Sequence, residues 1–194
     1  MSVFPLTSSQ TVGPFFAPAL LREDARRNVL TRTETVGERI RIEGRVLDGD
    51  GVPVPDALVE IWQANAHGRY NHPTDQGPAP LDPSFLGFGR SGTAEDGSYW
   101  FETIKPGSVP FDGERLQAPH ICFTVFSRGL LNHVVTRLYF EDEPSNTSDP
   151  VLQCVPEKRR ATLLARREPA AGAVVVYRFD IVLQGTNETA FFNL

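Results

Sequence analysis

The chain has 194 residues, of which 40% are hydrophobic and 22% charged, with a formal net charge of -5. These are ordinary values for a globular domain with one sizeable core; the negative balance argues against a nucleic-acid surface. No run approaches the ~20 apolar residues of a membrane helix, and Met1-Ser2-Val3-Phe4-Pro5 lacks the basic and apolar regions of a secretory signal. Cys122 and Cys154 are the only cysteines. They are too few for a disulfide framework and read as two reduced, buried thiols of a cytoplasmic protein.

Residues 1–38 have no clean periodicity, and their charged stretch Arg22 to Arg27 predicts a short helix. They are expected to form an N-terminal arm that packs on a partner subunit, with residues 39–194 as the core. From Arg39 the pattern changes. Ile40, Ile42, Gly44 and Val46 alternate with Arg39, Arg41, Glu43 and Arg45, which is a strand with one buried face. Asp48-Gly49-Asp50-Gly51 is a turn, and Ala57 to Trp62 the next strand. Residues 67–88, rich in proline and glycine, read as a long loop of the kind that is usually functional or disordered. Ser98 to Ile104, His120 to Phe126 and His133 to Phe140 are three further strands, the last two joined through Ser127-Arg128-Gly129. Pro156 to Arg167 has Pro in its first turn and basic residues in its last, and predicts the one good helix. Val174 to Gln184 predicts a final long strand. Short strands, frequent turns and one short helix in the C-terminal half indicate a mostly β chain, a β-sandwich.

Several segments together resemble one family. Glu43-Gly44-Arg45-Val46-Leu47-Asp48, Pro53 to Ala57, and Val59 through Trp62 to Gly68-Arg69-Tyr70 open the pattern. Gly89-Arg90, Asp96 to Tyr99 and Thr103 to Gly107 continue it, and Pro119-His120-Ile121 and Thr136-Arg137-Leu138-Tyr139-Phe140 complete it. This frame resembles the intradiol ring-cleaving dioxygenases, whose β-sandwich it implies. Such enzymes hold ferric iron with two tyrosines and an H-x-H pair. Only Tyr70 and His120 fall on ligand positions here; Val109 stands where the second tyrosine would be and Cys122 where the second histidine would be. Gln117 replaces an arginine that the family places three residues before the first histidine. Ferric iron is a hard cation suited by phenolate and imidazole; valine has no donor, and a thiolate is softer than imidazole.

The resemblance is strongest to non-metal subunits of two-chain members, through Ser9 to Phe15, Phe126-Ser127-Arg128-Gly129, and the end from Tyr177 to Phe192. It implies a homologous β partner that holds Fe(III), an αβ pair about a pseudo-twofold axis, and larger symmetric assembly. It implies protocatechuate and O2 as substrates. Thr11, Gly13, Pro14 and Phe15 would help wall the partner's substrate pocket, with Gly and Pro shaping a close backbone approach. Arg128 would meet the substrate carboxylate with its guanidinium fork. Phe15 stands where related subunits often carry tyrosine, which would remove one hydroxyl from the wall.

Each residue also has a plainer reading. Tyr70 is a half-buried loop tyrosine and His120 a hydrogen-bonded core histidine. Cys122 is a small buried apolar residue, and Trp62, Trp100, Phe123 and Phe126 are core candidates. Arg128 is a surface arginine paired with an acid, and Thr11, Gly13 and Pro14 an ordinary turn. Two other functions stay open: a transthyretin-like scaffold module, from Gly44 to Ala57, and a stand-alone dioxygenase in which Cys122 or another group replaces a lost ligand.

Overall fold

The computed structural model describes residues 11–13, 16–23, 25, 27–169 and 174–193, with the backbone only of Ala17 and Pro18. Among them are eleven strands in chain order: β1 (Arg39–Leu47), β2 (Leu58–Trp62), β3 (Phe88–Gly92), β4 (Ser98–Ile104), β5 (Val109–Asp112), β6 (Arg115–Gln117), β7 (His120–Phe126), β8 (Val134–Phe140), β9 (Leu164–Arg167), β10 (Val175–Arg178) and β11 (Ile181–Val182). Two short helices, α1 (Phe16–Leu20) and α2 (Glu157–Arg160), complete the regular structure together with 3-10 turns. The fold is mostly β, as expected.

In β1 every second residue from Ile40 to Val46 is buried, so period-two patterning does place one face in the core. β1 pairs antiparallel with β4 over seven residues and parallel with β10. β3, β2, β7 and β8 form an antiparallel run. β9 runs parallel to β8 and antiparallel to β10, so it joins the two halves into one nearly closed sheet. Ile40, Ile42 and Phe101 from one half meet Ile61, Phe123, Val125 and Leu138 from the other. Each such side chain, fully buried, contributes about 1.5–3 kcal/mol.

β9 explains where the predicted helix fails. Pro156 to Arg167 gives one helical turn, a 3-10 turn at Ala161–Leu163, and then a strand. Helix propensity is worth a few tenths of a kcal/mol per residue; burying Leu163 and Ala165 and pairing the seam between β8 and β10 outweighs it. The predicted final strand also divides. At Phe179-Asp180 the ladder breaks: the Phe179 N–H donates to the Glu43 carbonyl, and the Arg45 N–H donates to Asp180 Oδ1 instead of to backbone. Gly44 permits this crossing, because a Cβ there would lie 1.8 Å from the Phe179 carbonyl oxygen.

The arm differs in detail from expectation. Its helix is Phe16–Leu20, not Arg22–Arg27. Further on, Arg27 bridges Arg90, and the Leu30 N–H donates to the Glu102 carbonyl, laying residues 27–30 along β3 and β4. Trp100 is not in the core: it is 36% exposed, with the Arg41 guanidinium 4.4 Å over its ring. The thiols are free, as expected, but Cys122 is half-buried and Cys154 exposed. Among the described residues, no helix is long and apolar enough to cross a membrane.

Candidate functional site

Two glycines set the first site. Gly68 has φ +78°, and a Cβ on it would lie 1.9 Å from the Ser108 carbonyl oxygen. The Gly107 N–H donates to the Asn65 carbonyl. The loop after β2 is therefore pressed against the segment leading into β5, which brings the Tyr70 loop beside that of Val109. Tyr70 stacks on Trp62, with centroids 5.8 Å apart and planes at 15°. Strand register supplies the rest. Cys122 lies opposite both Trp62 and Arg137, and His120 opposite Tyr139. Cross-strand partners and residues two apart share a face, so His120, Cys122, Arg137 and Tyr139 project together, away from the core filled by Ile121 and Leu138. Asp149 accepts from the Ala118 N–H at 2.7 Å and from the Tyr139 hydroxyl at 3.1 Å, locking the entry to β7.

His120 is a buried, hydrogen-bonded histidine. Its Nδ1 lies 2.8 Å from the Ala118 carbonyl oxygen, which can only accept, so Nδ1 carries the proton. Burial pushes its pKa down to about 4, helped by the Arg137 charge. Burial raises the Tyr70 phenol above its usual range, with Cys122 adding and Arg137 opposing. It raises the Cys122 thiol as well, against the charge and hydrogen bond of Arg137. Arg137 donates from Nη1 to Gln117 Oε1 at 2.7 Å, reaches the Tyr139 hydroxyl at 3.5 Å, and lies 5.8 Å from the Phe192 ring centroid.

These residues do not fit a ferric ion. Val109, 4% exposed, offers no donor atom. Cys122 offers sulfur, a softer donor than the imidazole or phenolate that suits ferric iron, which leaves Tyr70 and His120 as the fitting donors.

A second cluster lies past the other end of β7. Arg128 is 72% exposed and bonded through Nε to Asp56 Oδ2 at 2.8 Å. The Gly129 N–H donates to Thr11 Oγ1 at 3.3 Å, and the Phe16 N–H to the Gly13 carbonyl at 3.0 Å. Phe16 packs on Phe126, centroids 5.9 Å apart. Thr11, Gly13 and Arg128 are thus gathered on one rim; Pro14 and Phe15 lie outside the described residues. His120 and Phe126 are six residues apart on β7, about 20 Å at ~3.3 Å per residue. The rim is remote from the Tyr70–His120 cluster.

Sequence reasoning missed Arg137, Tyr139 and Asp149 of the first cluster and Asp56 of the second. Arg137 carried a signal, a cation at an alternating position of an apolar strand. Its partners Gln117 and Cys122 are 20 and 15 positions away, so only the register joins them. Asp56 is 72 positions from Arg128 and gave no signal.

A family model described as Dioxygenase (Dioxygenase_C) matches residues 11–185. The chain is 42% identical over 208 residues to the protocatechuate 3,4-dioxygenase alpha chain of Burkholderia cepacia, covering all of both chains. It is also 42% identical over 190 residues to the beta chain from the same organism, covering 95% of this chain and 78% of that one. The dioxygenase domain of a carbohydrate-binding fusion from Streptomyces sp. SirexAA-E superposes with a TM-score of 0.63 at 28% identity, over 83% of this chain and 89% of that one.

Proposed function

Because this chain belongs to the intradiol ring-cleaving dioxygenase family, a family that depends on iron, we propose that it is the subunit without metal of a protocatechuate 3,4-dioxygenase. A homologous β subunit holds the Fe(III), and the pair converts protocatechuate and O2 to 3-carboxy-cis,cis-muconate in cytoplasmic aromatic catabolism. The stretch from Gly44 to Ala57 lies within the matched span and needs no separate scaffold role.

The observation that carries this reading is the separation of the two clusters. The degenerate ligand positions Tyr70, Val109, His120 and Cys122 lie at one end of β7, and the exposed guanidinium of Arg128 lies past the other. Arg128 cannot serve a site 20 Å away in its own chain, but it can serve one across an interface. Asp56 pairs with Nε, and neither terminal nitrogen has a partner among the described residues, so both can bind a carboxylate side-on. Thr11 is tied to Gly129, and a Cβ on Gly13 would meet no atom within 4 Å. Thr11, Gly13, Pro14 and Phe15 wall the pocket, and Arg128 selects the carboxylated catechol by orienting it.

Iron content and protocatechuate-dependent oxygen uptake test this, on the chain alone and after co-expression with its β partner. The expected result is a colourless, inactive chain and a coloured, active complex. Iron with turnover in the isolated chain would sink the reading.

A further inference from the structure

The subunit reading accounts for an absent metal by absent ligands, yet the structure holds a charge at that place. His120, Cys122, Arg137 and Tyr139 share one face of β7 and β8, and Arg137 is the only one of the four with a fixed positive charge. Its Nη1 donates to Gln117 at 2.7 Å, its strand position is opposite Cys122, and the Phe192 ring flanks it at 5.8 Å. The Tyr139 hydroxyl at 3.5 Å closes another side. Gln117 comes from β6 and Phe192 from the C-terminal segment, so the guanidinium, with Tyr139 beside it on β8, ties two other stretches to its own strand. That is the work a metal does in a ligated site: one cation organises donors from several elements.

We propose that Arg137 is the built-in cation of this site: its guanidinium takes the position of the metal among Tyr70, His120 and Cys122, holds the site together, and bars a metal ion. The inference rests on the subunit reading but adds to it. Loss of ligands alone predicts that restoring them restores binding. A resident cation predicts that it does not, because a ferric or ferrous ion would face a like charge within the same cluster, and the guanidinium would have to leave Gln117 without its donor.

The test restores the ligands with Arg137 present or absent. The full chain carrying Val109→Tyr and Cys122→His is loaded with ferrous iron in air, and bound iron and tyrosinate-to-iron absorption are read. With Arg137 retained, less than a tenth of an equivalent of iron is expected; adding Arg137→Met should raise this at least fivefold, with visible colour. Arg137→Lys in the same background keeps the charge and should stay near the unmodified level, which keeps the proposal testable if the methionine variant fails to fold. Stoichiometric iron with Arg137 in place overturns the proposal. So does a lysine variant that binds iron stoichiometrically, or a folded methionine variant that binds none. Iron and turnover in the unmodified isolated chain would instead overturn the subunit reading, so the two failures are separable.

Discussion

Arg137 and Arg128 are the same residue type in opposite settings. Arg137 is half-buried and turned inward, with Gln117, Tyr139 and Phe192 around its guanidinium. Arg128 is exposed and anchored at one nitrogen only, by Asp56. The first hydrogen-bonds through Nη1 to groups of its own fold, and the second is held only by an ion pair and keeps its guanidinium at the surface. Burial and the kind of partner, rather than the charge, separate the two settings: a neutral amide and a phenol beside a half-buried guanidinium, against a single carboxylate beside an exposed one.

The largest expected effect tests the inward site. His120 is neutral when folded, with a pKa of about 4 against an ordinary 6.5. Its contribution is fully present above pH 6.5. As pH falls from 6.5 to 4 the unfolded chain takes up a proton that the folded chain refuses, so stability is lost, by about 3 kcal/mol at roughly 1.4 per pH unit. Below pH 4 this loss levels off. Urea unfolding at pH 7 and 4.5 reads it, and His120→Asn should flatten the slope. An equal slope in the variant would mean that other groups set the acid limb.

Arg137→Met comes next, at about 2–3 kcal/mol of stability, since it strands the Gln117 acceptor and removes a charge-assisted bond. Arg128→Ala should cost at most about 0.5 kcal/mol of stability, as an exposed ion pair does. In the αβ complex, however, it should raise KM for protocatechuate roughly tenfold, about 1.4 kcal/mol, with kcat little changed. Catechol, which lacks the carboxylate, should show no such change. The comparison between the arginines collapses if Arg128→Ala destabilises the chain as much as Arg137→Met does, or leaves KM alone.

What the sequence could reveal follows from range. β1, β4 and β7 are readable because period-two alternation is local: a buried Ile40 or Phe101 is announced by its neighbours. The Asp112-Gly113 turn of the β5–β6 hairpin is also a local signal, though strands of four and three residues are too short to show a period. β9 is unreadable for a different reason. Its basic residues fit a helix end, and only the seam between β8 and β10 makes it a strand. Tyr70, Val109, His120 and Cys122 are singled out only through family resemblance, one residue at a time. Arg137 beside them is not, because its meaning lies in cross-strand register rather than in its own position. The Arg128 rim needed both, a motif for Arg128 and tertiary contact for Thr11.

The smallest effect concerns Asp56, and it separates anchoring from charge. Asp56 Oδ2 forms an ion pair with Arg128 Nε, while Oδ1 is buried without a hydrogen-bond partner among the described residues. A carboxylate oxygen desolvated in this way is a cost, not a gain, to folding. Its benefit must then lie in where it holds the guanidinium. Asp56→Asn keeps an acceptor for Nε and removes the charge, so KM for protocatechuate should stay within about twofold, with stability unchanged or slightly higher. Asp56→Ala frees the side chain, and restoring its order on binding costs about 0.5–1 kcal/mol, a two- to fivefold rise in KM. That rise should appear with protocatechuate and not with catechol. If the alanine variant leaves KM unchanged while Arg128→Ala raises it, Arg128 needs no anchor, and the outward guanidinium is positioned by the partner instead.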